Sequence, residues 1–144
     1  SKNVWYPFFV IEFKAAAGTN GNLWVAENQC AGGSAACVQA VNHLNTRFGD
    51  VGCIARIPNL CYSLAIDNNL AHLFVSWWGV IEEEEDKDKK GSPAFHIQLV
   101  DSFYLFCPAH LVRLHQRATA IIDWGNEQRL RHIQFAVDYI LQAE

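Results

Sequence analysis

Residues 6–14 read YPFFVIEFK, and no other stretch narrows the possible folds as much. Phe8, Phe9, Val10 and Ile11 form an unbroken β-prone apolar run of the kind found in strands buried on both faces. Pro7 stands at its start, where a missing N–H is tolerated. Glu12 and Lys14 close the run two positions apart, and residues i and i+2 of a strand point to the same side. Such a strand needs a sheet and a cover. Gly18, Asn20 and Gly21 give a turn signal directly after it. Residues 23–44 are then Ala-rich and helical in character, with Gly32 and Gly33 in the middle. Each glycine costs a helix about 1 kcal/mol, so close packing or a bend is expected there. The helix reads as the crossover that follows a central strand.

Residues 51–57 and 61–66 are strand-like, with Pro58 and Asn59 as a break. Asp67, Asn68 and Asn69 are expected to turn the chain into residues 71–81 as an antiparallel hairpin. Residues 82–90, EEEEDKDKK, read as a solvated loop rather than an interaction tail. Residues 95–104 return to strand character. Residues 107–123 are helical, with Pro108 near the start where proline is accepted. Trp124 and Gly125 are expected to break that helix. Residues 127–142 form a last helix, with Leu130, Ile133, Val137 and Ile140 at helical spacing. The order of strand, helix, three strands and two helices predicts an α/β (α+β) domain, a mixed β-sheet flanked by helices, spanning residues 1–144 as one unit.

The chain has 144 residues, 51% of them apolar and 12% aromatic, enough for a real core and against disorder. No apolar run approaches the roughly 18 residues that span a bilayer, and no signal peptide is visible. The expectation is an intracellular protein, cytoplasmic or nuclear, with secretion as an effector left open. The chain contains no Met and opens at Ser1, which reads as an N-terminally incomplete fragment or a processed product. Its missing upstream segment would then be a partner. The five Cys include no CxxC pair, so buried free thiols are expected rather than a zinc site. The net charge of −4 counts against strong non-specific DNA binding, which rests on neutralising phosphates. A bound divalent cation would reverse the local sign.

Glu-x-Lys at a strand end suits phosphodiester hydrolysis. A carboxylate binds a hard cation such as Mg²⁺, and an ammonium can orient water or stabilise developing negative charge. A simple strand-end ion pair is the plainer alternative. Glu27, Asn28 and Gln29 form a polar group in the otherwise apolar helix, where they could face the site or simply enrich a first helical turn. Arg113 and Arg117, with His110 and His115 nearby, could contact nucleic-acid phosphates, although a solvated helix surface is the simpler reading. Trp77 and Trp78 read as core and sheet-face residues, with base stacking as the lesser alternative. The six His contain no HExxH, and Ser34 lacks a GxSxG context.

YPFFVIEFK, the turn, and LWVAENQCAGGSAACVQAVNHLN over residues 23–45 resemble a mainly fungal family of PD-(D/E)xK nuclease-like domains. The helix start (Ala26, Asn28, Gln29, Ala31, Gly32) carries the likeness. So do Trp77 and Trp78, the segment Ile121, Ile122, Asp123, Trp124, Gly125, and Arg129, Leu130, Arg131. The resemblance implies a restriction-endonuclease-like core acting on DNA with Mg²⁺ (or Mn²⁺). Glu12 would be a metal ligand, Lys14 the catalytic lysine, and Gln29 the helix glutamine of the site. Glu27 is the second candidate metal ligand. That superfamily also uses an Asp on a preceding strand, which this chain starts too late to contain. The alternative is a catalytically inactive nuclease-like fold serving as a protein-interaction or effector module.

Overall fold

A computed structural model describes residues 6–15, 23–80 and 91–143. The turn expected at Gly18–Gly21 and the acidic run at 82–90 lie outside those residues. Four strands form one sheet in the order β1 (Phe9–Phe13), β2 (Leu60–Ile66), β3 (Leu70–Gly79), β4 (Ala94–Tyr104). β1 runs parallel to β2, and the other neighbours are antiparallel. The parallel pair requires a long crossover, supplied by α1 (Leu23–Asp50). The fold is thus the expected mixed sheet flanked by helices.

Alternation along β2 sorts the sheet into two faces. Cys61, Ser63 and Ala65 meet α1, where Ala26 and Cys30 pack on Ala65, and Cys37 and Val38 pack on Cys61. Gly33 lies against Val10 of β1, so its missing side chain lets the helix approach that strand. Gly32 is exposed, and a side chain there would meet nothing within 4 Å. The opposite face gathers Phe8, Phe9, Tyr62, Leu64, Leu73 and Phe103 against Ile121 and Leu114 of α2 (Pro108–Trp124). Farther along β1, Ile11 and Phe13 remain 56% and 60% exposed on that side. The run read as buried on both faces is covered on both only at its start.

The β2–β3 hairpin forms as expected. Asp67 Oδ1 accepts the backbone N–H groups of Asn69 (2.7 Å) and Leu70 (2.8 Å), the local bonding for which Asp is favoured in turns. A bulge in β4 pairs Leu73 with Asp101 but Phe74 with Leu99. The extra residue changes which face the odd-numbered side chains occupy. Asp101 and Phe103 therefore point towards α2.

Two expectations are corrected. Residues 51–57 are not a strand. Asn45 of α1 instead binds the Ile57 backbone through both its amide atoms, each at 2.8 Å. Trp124 and Gly125 do not break the helix either. Gly125 has helical angles (φ −64°, ψ −42°), and the chain continues through a π-helical turn, Gly125–Arg129, into α3 (Leu130–Ala143). α3 packs on the second half of α1, joining Ala136 and Ile140 to Val41, Leu44, Phe48 and Ile57.

Candidate functional site

Glu12 is half-buried on the α1 face of β1. The Lys14 N–H donates to Ile66 O at 2.9 Å, which carries the parallel ladder one step past Glu12. Glu12 and Lys14 therefore share a side, as the spacing of two requires. Across the sheet Glu12 pairs with Ala65, and Ala65 pairs with His72 of β3. An acid and an imidazole thus flank a residue with almost no side chain.

α1 crosses the middle of this row, because Ala26 and Cys30 sit on Ala65. The two helix flanks meet different strands. Gly33 touches β1, and Gln29, one turn earlier, lies on the same flank, exposed. Glu27 lies on the other flank, where its Oε1 meets His72 Nδ1 at 2.6 Å. The structure brings Gln29 to the side of Glu12 and Lys14, whereas Glu27 is engaged with His72 beyond the helix. Cys30 lies between the flanks. Burial pushes its thiol pKa up, opposed by the nearby Ser63 hydroxyl and Glu12 backbone, while the Glu12 and Glu27 charges add to the rise.

Among the described residues, no three His, Cys, Asp or Glu side chains gather into a metal cage. Magnesium does not need one, because it keeps several waters and is typically held by one or two carboxylates plus substrate phosphates. A half-exposed Glu12 fits that donor set. A closed Cys/His site of the zinc type is not formed by these residues.

Arg113 and Arg117, the candidate phosphate contacts, converge on Asp101. Arg113 makes a two-pronged contact, Nε to Oδ2 at 3.1 Å and Nη2 to Oδ1 at 3.2 Å, and also donates to Ser102 O at 3.0 Å. Arg117 Nε lies 3.8 Å from the same carboxylate. These arginines join α2 to β4 and have their charge countered there. Neither Asp101 nor His72 stood out in the sequence, because each owes its place to strand register and a bulge. Glu27 and Gln29 were separable in advance, since positions two apart on a helix face nearly opposite ways.

The model of a family described as Domain of unknown function (DUF7924) matches residues 1–137. The chain belongs to the DUF7924 family. No curated protein and no solved structure matches it. The match covers every strand, α1, α2 and most of α3, so this DUF7924 domain carries Glu12, Lys14, Gln29 and the Glu27–His72 pair within the family's own extent. No helix among its described residues is long and apolar enough to cross a membrane.

Proposed function

We propose that this DUF7924 domain is a nuclease module of the PD-(D/E)xK kind that hydrolyses DNA phosphodiesters at the β1 edge. The observation that carries the reading is the shared side of Glu12 and Lys14 at the end of a sheet-edge strand, with Gln29 on the adjacent helix flank. Glu12 would hold Mg²⁺ directly, and the cation would supply Lewis-acid polarisation of the scissile phosphate. Lys14 offers an ammonium to the negative charge that develops on the phosphoryl oxygens. The Gln29 amide can accept from and donate to a water beside them, holding it in line. The strand fixes two of these groups on one rigid element, which limits the misplacement that would cost rate.

The test is Mg²⁺-dependent cleavage of duplex DNA by the whole chain. Glu12→Ala and Lys14→Ala are each expected to lower the rate by about 10²–10³-fold, the range for losing one preorganised group. Equal rates in both variants and the parent would defeat the proposal. A second reading, a nuclease-like fold used as a protein-interaction module, is favoured by the exposed Ile11 and Phe13 on the far face of β1. Calorimetry showing no Mg²⁺ binding, together with no cleavage, selects it.

A further inference from the structure

At the other end of the sheet, the second half of α1, the chain entering β2 and the end of β3 border a wide-open cleft of about 750 Å³. That lies within the roughly 300–1,000 Å³ usual for small-molecule sites. Gln39, Asn42, Asn45, Arg56, Asn59 and Trp78 line it. The hydrogen bonds of the wall determine which polar atoms are left for a ligand. Asn59 Nδ2 donates to the Trp78 carbonyl at 3.1 Å and to Asn42 Oδ1 at 2.7 Å. A backbone carbonyl can only accept, so the Trp78 bond fixes the orientation of the Asn59 amide, and that in turn fixes Asn42. Both hydrogens of the Asn59 amino group are then engaged. Asn59 Oδ1 and Asn42 Nδ2 have no partner among the described residues. The result is an oriented acceptor beside an oriented donor, on a rim that Asn45 holds through its two bonds to Ile57.

Two further groups bear on the same space. Arg56 donates through Nη1 to Asn45 O at 2.8 Å, which anchors its guanidinium and leaves Nε and Nη2 without partners among the described residues. Trp78 is half-buried, its side chain packed against Cys37, Val38 and Cys61, and it lines the cleft. A planar ring with an adjacent donor and acceptor on its edge, joined to an anion, complements all of them. We propose that this cleft binds a nucleotide, with the base edge on Asn42 and Asn59, the base plane against Trp78 and a phosphate at Arg56. Bases in single strands are read this way, by stacking on aromatic rings and hydrogen bonding along an exposed edge. A neutral sugar would leave the guanidinium unused, and an apolar ligand would strand both amides. The site is separate from Glu12 and Lys14 and does not rest on the nuclease reading. The same chemistry could come from a free mononucleotide or from one base of a strand.

The experiment is calorimetric titration of the whole chain with the four nucleoside 5′-monophosphates, read in parallel by the side-chain amide NMR signals of Asn42 and Asn59. Saturable binding that shifts both amides is expected. Arg56→Gln should weaken uridine 5′-monophosphate about tenfold, the size of one charge-assisted hydrogen bond, and leave uridine unchanged. Arg56 is exposed, so this variant keeps the core. 3-Methyluridine 5′-monophosphate, whose ring N–H is blocked, should lose binding. Tighter binding of an oligouridylate than of the mononucleotide assigns the source to a strand, and the reverse order assigns it to the free nucleotide. The proposal is overturned by absence of binding for all four monophosphates, by glucose shifting the same amides, or by an Arg56→Gln variant as tight as the parent.

Discussion

Arg129 is 2% exposed, and no carboxylate accompanies it among the described residues. Its guanidinium instead donates to the carbonyls of Pro58 (3.4 Å), Leu60 (3.2 Å) and Pro7 (3.1 Å), leaving Nε without a partner. The rings of Phe8 and Trp124 lie 5.9 and 5.8 Å from it. Burial pulls its pKa down, and the Cys61 and Cys37 sulfurs oppose that shift. Replacing it with alanine would strip three part-buried carbonyls of their donor and empty the space of a large buried side chain, so Arg129→Ala is expected to cost about 3–5 kcal/mol, read as a lower urea midpoint. The same residue affects the thiols beside it. The neighbouring Cys61 thiol, aided by the Arg129 charge against the opposing effect of burial, lowers the Cys37 pKa from 9.0 to about 7, while the Cys61 thiol itself donates to the Tyr62 carbonyl at 3.4 Å. A depressed acid adds stability above its unfolded pKa and loses it as pH falls through the folded one. Through Cys37, stability therefore gains as pH rises above about 7, whereas the raised Cys61 thiol costs stability as pH passes its unfolded value; Cys37→Ser should remove the gain in denaturation curves taken across that range.

At the scale of elements, the π-helical turn explains how one helical run serves two surfaces. α2 lies on the sheet, α3 lies on α1, and the turn between them shifts the helical frame where the change occurs. Gly125 is required there for space and not for its backbone angles, because a Cβ would fall within the ring of Phe8. Gly125→Ala should lower the thermal midpoint, and adding Phe8→Ala should recover part of that loss by vacating the space. A double-mutant cycle with no coupling would refute this account. Sequence patterning located the two helices because each has its own apolar period. It misplaced the joint because Trp124-Gly125 carries the usual composition of a helix end. Residues 51–57 misled for a related reason. Their apolar content suits a strand, yet the Asn45 amide occupies the Ile57 backbone groups that a neighbouring strand would need.

Across the whole molecule, the succession of elements and the placement of the hairpin were legible because they depend on local periodicity and on turn chemistry at Asp67. The pairing of Glu12 with Lys14 was legible for the same reason, since it needs only period two. Helix geometry alone separates Glu27 from Gln29, but which of the two sides with Glu12 was hidden, because the angular frame of the helix depends on which residues meet the sheet. The role of His72 depends on register across three strands, which no single segment encodes. The cleft at Asn42, Asn59 and Trp78 joins positions 17 and 19 apart by side-chain bonds, and its polar composition alone resembles ordinary surface. The bond from Arg129 to the carbonyl of Pro7 spans 122 positions and fastens the root of β1. A chain emerging from the ribosome makes Pro7 ahead of Arg129 by 122 residues. Strand β1 therefore waits, unlatched, while the rest of the sheet is made, and the Glu12–Lys14 edge takes its final shape only as α3 arrives.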